Sequence, residues 1–135
     1  MNPKELIETV VAFQKSRIVL TAYELDIFTC IGEKSITSET ISKALNLNKN
    51  ATERLLNALV SLGLLQKKNE NYSNSEDSLK FLSKDSPAYM SGMMHSNHLW
   101  NTWSHLTEVV KTGNVAYPEA INERGEEYLP RRVDG

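Results

Sequence analysis

The sequence predicts a mainly α fold: a winged helix-turn-helix with additional N-terminal helices suited to dimerisation and a long C-terminal helix. Three observations carry that prediction. Residues 36–72, ITSETISKALNLNKNATERLLNALVSLGLLQKKNENY, pass from a short strand through a helix, a polar turn and a second helix ending at Gly63 into a two-stranded wing. Residues 3–28 keep apolar side chains at helical spacing, and so do residues 86–113.

Asn2 is placed to cap a helix whose first turn holds Pro3, where a missing N–H costs nothing. Helical spacing then runs through Leu6, Val10 and Val11. It resumes through Ile18, Ala22, Leu25 and Phe28 until Gly32, as two successive helices or one long bent one. Ile7, Phe13, Val19 and Leu20 add more apolar surface than one stripe facing one small core requires, so some of it is expected to meet another chain. Phe13, Ile18 and Leu20 are the expected interface residues. Ile36 reads as a strand of one or two residues, after which Thr37 or Ser38 caps a helix that buries Ile41, Ala44 and Leu45.

The turn at 46–50, with Leu47 inward, breaks that helix. Asn50 and Glu53 resemble a capping box for the next one, which buries Leu55, Leu56, Leu59 and Leu62 before Gly63 ends it in the left-handed conformation. Leu64 and Leu65 open a strand that turns at 68–71 and returns through Tyr72, and a short helix follows around Leu79 and Leu82. Ser86 and Pro87 start a last helix that runs to Gly113 with Gly92 its one internal breaker.

On that last helix Leu99, Trp103, Leu106 and Val110 share a side and read as a core stripe. Met90, Met94, His98, Asn101 and His105 fall nearly opposite. Soft apolar atoms mixed with imidazoles and an amide suit the lining of a pocket for a small, partly polar molecule. Methionines that pack beside solvated histidines would fit the same spacing. Residues 114–135 carry too few apolar side chains for another core layer and read as a linker or tail, which divides the chain into 1–113 and 114–135.

With 135 residues, 40% hydrophobic and 24% charged, the chain can build one modest core. A net charge of -2 supplies no overall field for polyphosphate. Cys30 is the single cysteine, which excludes an internal disulfide, and between Phe28 and Ile31 it reads as a buried thiol. No apolar run approaches the ~18 residues that span a bilayer, and no signal-peptide core opens the chain, so a cytoplasmic protein is expected.

Glycine-rich phosphate loops and Ser/His/Asp or Cys/His arrangements are missing. His98 and His105 lie two helical turns apart, roughly 10 Å of rise, too far to share one ion. His95 and His98 lack a third ligand, so no metal site is expected. A winged helix that reads DNA offers several Arg, Lys, Asn or Gln side chains from its second helix. Here the only charges between 50 and 62 are Glu53 and Arg54, which cancel, while Glu70 offsets part of Lys49, Lys67 and Lys68. A DNA-binding transcriptional regulator is therefore the alternative reading, and nucleic acid is not the expected partner.

Three stretches, TAYELDIFTCIG at 21–32, ITSETISKALNLNKNATERLLNALVSLGLLQKK at 36–68 and HLWNTWSHLTEVVKTG at 98–113, carry a resemblance. Together the chain resembles the N-terminal dimerisation domain of S-adenosylmethionine-dependent O-methyltransferases, the class that includes plant phenolic, hydroxyindole and bacterial polyketide enzymes. The resemblance implies a homodimer whose domain also closes the pocket of a small hydroxylated substrate. Met94, His98 and Asn101 are the expected lining residues. It implies that a separate C-terminal domain binds the donor and carries the catalytic base, so this chain alone holds no cofactor, no catalytic residue and no activity. In the full enzyme a deprotonated substrate hydroxyl would displace the methyl group from the donor sulfonium. The chain stops at Gly135, where the connection to that domain is expected to begin.

Overall fold

The computed structural model describes residues 1–114. The segment expected to be a linker or tail lies, past Asn114, outside the described residues. In chain order the elements are α1 (Pro3–Val11), α2 (Phe13–Glu24), α3 (Ile27–Ile31), β1 (Ile36–Thr37), α4 (Ser38–Leu45), α5 (Lys49–Ser61), β2 (Leu65–Lys68), β3 (Asn71–Asn74), α6 (Glu76–Phe81), α7 (Met93–Trp103) and α8 (Leu106–Thr112). The chain forms two compact units, Met1–Ser91 and a second that begins at Gly92. The first is the expected winged helix.

Its local signals work close to the way the sequence suggests. Thr37 caps α4, its hydroxyl accepting from the Thr40 amide at 3.1 Å. The helix ends at Asn46, left-handed at φ 56, with the Leu47 amide donating back to the Ser42 carbonyl at 2.8 Å. The cap of α5 is Asn48, which accepts from Ala51 N at 2.9 Å, two residues earlier than the Asn50–Glu53 pair expected from sequence. Three asparagines alternate through this turn, and closing α4 at Asn46 leaves only Leu47 before the next cap. Gly63 ends α5 at φ 81, with Leu64 N bonded to Leu59 O at 3.0 Å and Gly63 N to Val60 O at 3.0 Å, the paired closure a left-handed residue permits.

The three strands lie in the order β1-β3-β2, all antiparallel, with Ile36 opposite Tyr72 and Leu65 opposite Asn74. Asn69 turns the wing at φ 56. Side chains from every layer fill the core: Ile27, Phe28 and Ile31 from α3, Ile41 from α4, Leu56 and Leu59 from α5, Leu65 and Tyr72 from the wing. Ala44, expected inside, faces solvent. The N-terminal run is divided more than expected, because Asp26 takes a left-handed φ of 62 and starts α3 afresh. After α6 the chain is fastened back to that turn. Lys84 Nζ lies 2.8 Å from Asp26 Oδ1, and its amide donates to Thr29 Oγ1 at 3.0 Å. Asp26 raises the Lys84 pKa, so this contribution is present below the ordinary lysine range and lost as pH rises through the raised value; exposure keeps it small.

Under the wing a polar cluster, half-buried at Asn74 and fully buried at Ser78, joins three elements. Asn74 Nδ2 donates to the carbonyls of Phe28 at 3.0 Å and Gly32 at 2.9 Å, at the end of α3. Ser78, fully buried on α6, donates to Leu64 O at 2.6 Å and lies 3.1 Å from Asn74 Oδ1. Replacing Asn74 with Leu takes the side-chain donor from the Gly32 carbonyl, while Phe28 O keeps the Gly32 amide and Ser78 keeps Leu64 O, at a cost of about 1–3 kcal/mol. Urea unfolding should show that loss in the midpoint with the slope unchanged, while Asn74→Leu unfolding like the wild type would refute the role given to the cluster.

Candidate functional site

Two surfaces stand out, one in each unit. The first is α1 and its junction with α2. Asn2 and Glu5 form a reciprocal capping box, Asn2 Oδ1 accepting from Glu5 N at 2.8 Å and Asn2 N donating to Glu5 Oε2 at 3.2 Å. The helix so started buries none of its residues. Leu6, Ile7, Val10 and Val11 are exposed, and Phe13 follows at 54%. Each such side chain gains roughly 1.5–3 kcal/mol when taken out of water, so a contiguous stripe of them marks an interface.

The sequence-predicted interface residues separate here. Phe13 is bare, Ile18 is half-buried, and Leu20 is in the protomer's own core at 7% exposure. Phe13 and Leu20 are seven residues apart and share a helical face, but α2 dives against α3 and α5 between them. The expectation for Leu20 is therefore corrected: it holds its own subunit together. Leu6 and Val10, which the sequence placed on the regular helical stripe, extend the bare surface.

The second surface is the unit from Gly92. The single helix expected over 86–113 is two. α7 begins after Gly92 and stops at Trp103. Ser104 Oγ donates to Trp100 O at 2.8 Å, and His105 Nδ1 meets Asn101 O at 2.8 Å. Side chains that take up carbonyls in this way compete with the next helical turn. α8 then runs to Gly113, left-handed at φ 73.

Met94, His98 and Asn101 stand at i, i+4 and i+7 of α7 and share a face; Met94 is half-buried and the other two are exposed. His105, expected on that face, sits in the break, and Met90 precedes the helix altogether. The opposite stripe is not a core. Trp103 is 66% and Val110 77% exposed, with Leu99 and Leu106 also at the surface. Periodicity marks a stripe without saying what covers it. Among the described residues no three His, Cys, Asp or Glu side chains are gathered to hold a metal.

Two hollows in the first unit escaped the sequence. A groove of about 760 Å³ between α3, α6 and the residues after α6 is lined by Lys34 and Lys80 alternating with Glu33, Glu76 and Asp85, so it favours neither sign of charge. An apolar hollow of about 240 Å³ lies among Leu25, Leu47, Ala51 and Leu55, where α2 meets α5. On α5, Asn57 and Lys49 are engaged locally. Asn57 accepts from the Tyr72 hydroxyl at 2.6 Å and from Lys67 Nζ at 3.4 Å, and Lys49 faces Glu39 at 3.9 Å. Lys43 and then Lys49 hold the Glu39 carboxyl below its usual range. Cys30 is half-buried, and its burial pushes the thiol above the ordinary cysteine range, with Lys34 opposing.

Comparison with known proteins converges on one family. Residues 7–84 match the family model of the O-methyltransferase dimerisation domain. The chain is 30% identical over 120 residues to the tetracenomycin polyketide synthesis 8-O-methyl transferase TcmO of Streptomyces glaucescens, covering 87% of this chain and 35% of that protein. It is 32% identical over 117 residues to the acetylserotonin O-methyltransferase of Gallus gallus, covering 81% and 34%. The crystal structure of human N-acetylserotonin methyltransferase in complex with SAM superposes with a TM-score of 0.74 at 26% identity, covering 86% of this chain and 36% of that one. The chain thus spans about a third of the length of these relatives.

The environment of Cys30 makes a prediction for the thiol. Its alkylation by iodoacetamide should show a pH midpoint above that of free cysteine and a slower rate at pH 8. A midpoint at or below the free value would overturn the assignment of burial as the dominant influence.

Proposed function

This chain belongs to the O-methyltransferase dimerisation-domain family, and from that premise we propose that it forms a homodimer through α1 and the start of α2. In the complete enzyme it would also close the pocket over a small hydroxylated acceptor. The observation that carries the first half is the bare stripe of Leu6, Ile7, Val10 and Phe13 on a helix with no buried residue. A two-fold partner presenting the same stripe would cover it, since an isologous contact pairs a patch with itself. Ile18, half-buried at the edge of the stripe, joins this interface.

For the second half, residues 1–113 act as one dimerisation and capping region, with 114–135 leading toward a catalytic domain. The support is the family and the shared face of Met94, His98 and Asn101 on α7. The residues described here do not fit S-adenosylmethionine. Their sheet is three short antiparallel strands, and Gly32, Gly63 and Gly113 close helices instead of cradling a ligand. The contribution of this chain is accordingly orientation of the acceptor and exclusion of water.

Sedimentation at micromolar concentration should give twice the 15.3 kDa protomer mass, and Leu6→Asp with Val10→Asp should weaken association at least 100-fold without unfolding the winged unit. A wild-type chain found only at the protomer mass would sink the interface. In the complete enzyme His98→Ala and Asn101→Ala should each raise acceptor KM roughly tenfold and leave donor affinity unchanged. Unchanged acceptor KM in both variants would remove them from the pocket.

A further inference from the structure

Tyr23 does more than fill the core. It lies in the last turn of α2 at 4% exposure, and its hydroxyl donates toward two successive carbonyls, Met90 at 3.0 Å and Ser91 at 3.2 Å. Two neighbouring carbonyls reach one hydroxyl only when the backbone turns both the same way, so this contact dictates the direction of the chain at Met90–Ser91. The Tyr89 ring stacks on Tyr23 with centroids 5.7 Å apart and planes 2° from parallel. The Met90 amide donates to Phe81 O at 2.8 Å. One residue further on, at Gly92, the second unit begins.

We propose that Tyr23 is a positioning residue: its phenol, with Tyr89 stacked on it, fixes the point from which α7 and its Met94–His98–Asn101 face depart. The functional consequence rests on the capping reading above; the anchor itself does not. Met90 and Ser91 are exposed, so water takes up part of the lost hydrogen bond in energy. Water cannot replace it in direction. Removing the hydroxyl therefore loosens the departure point and leaves the core intact, unlike a residue whose role is stability.

Two further features agree. Ser86 Oγ donates to Lys80 O at 2.6 Å and the Tyr89 amide to Ser86 O at 3.1 Å, so the non-helical path between α6 and the anchor is held along its length. Gly92 itself, at φ -71 with open space where a Cβ would stand, adds no constraint of its own to the junction.

Hydrogen exchange on the Tyr23→Phe chain tests the anchor. The amides of Met90 and Ser91 should exchange about tenfold faster while Leu56 and Leu59 on α5 keep their rates. Unchanged exchange at Met90 and Ser91, or acceleration only in step with α5, would overturn the proposal. So would acceleration in Tyr89→Leu but not in Tyr23→Phe, because the ring stack alone would then be the anchor. In the complete enzyme Tyr23→Phe should raise acceptor KM several-fold more than it changes kcat, with donor affinity unaltered. Faster local exchange with an unchanged KM would leave the anchor standing and sink the capping role of α7.

Discussion

The winged unit depends on a single half-buried amide. Asn74 ends the wing, donates to the carbonyls of Phe28 and Gly32 at the end of α3, and offers its oxygen to Ser78 on α6. The end of α3 is thereby tied to the junction of β3 and α6, more than forty residues further along the chain. An apolar side chain of the same size would fill the space but leave the Gly32 carbonyl without this donor, and an unpaired acceptor shielded from water costs more than the hydrogen bond it replaces gains. With α3 fixed against the wing, Ile27, Phe28 and Ile31 are presented to Leu56, Leu59 and Tyr72, and the core closes around them.

That closure decides which apolar surface is left over. The stripe that starts at Leu6 and continues through Phe13 reaches the core at Leu20, so one helical face is bare at its beginning and buried at its end. Half of the face serves the protomer, and half stays exposed. The winged element itself is arranged as scaffold. Two polar groups of α5 are turned to the wing and to α4, with Asn57 bonded to Tyr72 and Lys49 opposite Glu39. Membership of the O-methyltransferase dimerisation-domain family agrees with this use, and nothing favours a role in reading nucleic acid.

Much of the fold was legible because its signals are local. Thr37 as a cap, the inward Leu47, Gly63 as a left-handed stop and the turn before Asn71 each depend on chemistry within a few residues. Where two local signals compete, pattern alone could not choose. Asn48 and Asn50 are equally good caps by type, and the closure of α4 at Asn46 selected the first. The break at Ser104–His105 was hidden because it comes from side chains bonding back to carbonyls, which leaves the helical spacing of Leu99, Trp103 and Leu106 intact.

By itself the sequence determined the element types, the winged order, the apolar surplus of the opening helices and the family, because periodicity, caps and motif order are properties of neighbours along the chain. Tertiary structure alone decided that Leu20 turns inward while Phe13 stays bare and that Trp103 and Val110 face solvent. It also decided that Tyr23 seizes the carbonyls of Met90 and Ser91. The reason is geometric: a helical repeat says which residues share a face, but what that face meets is set by segments dozens of residues away.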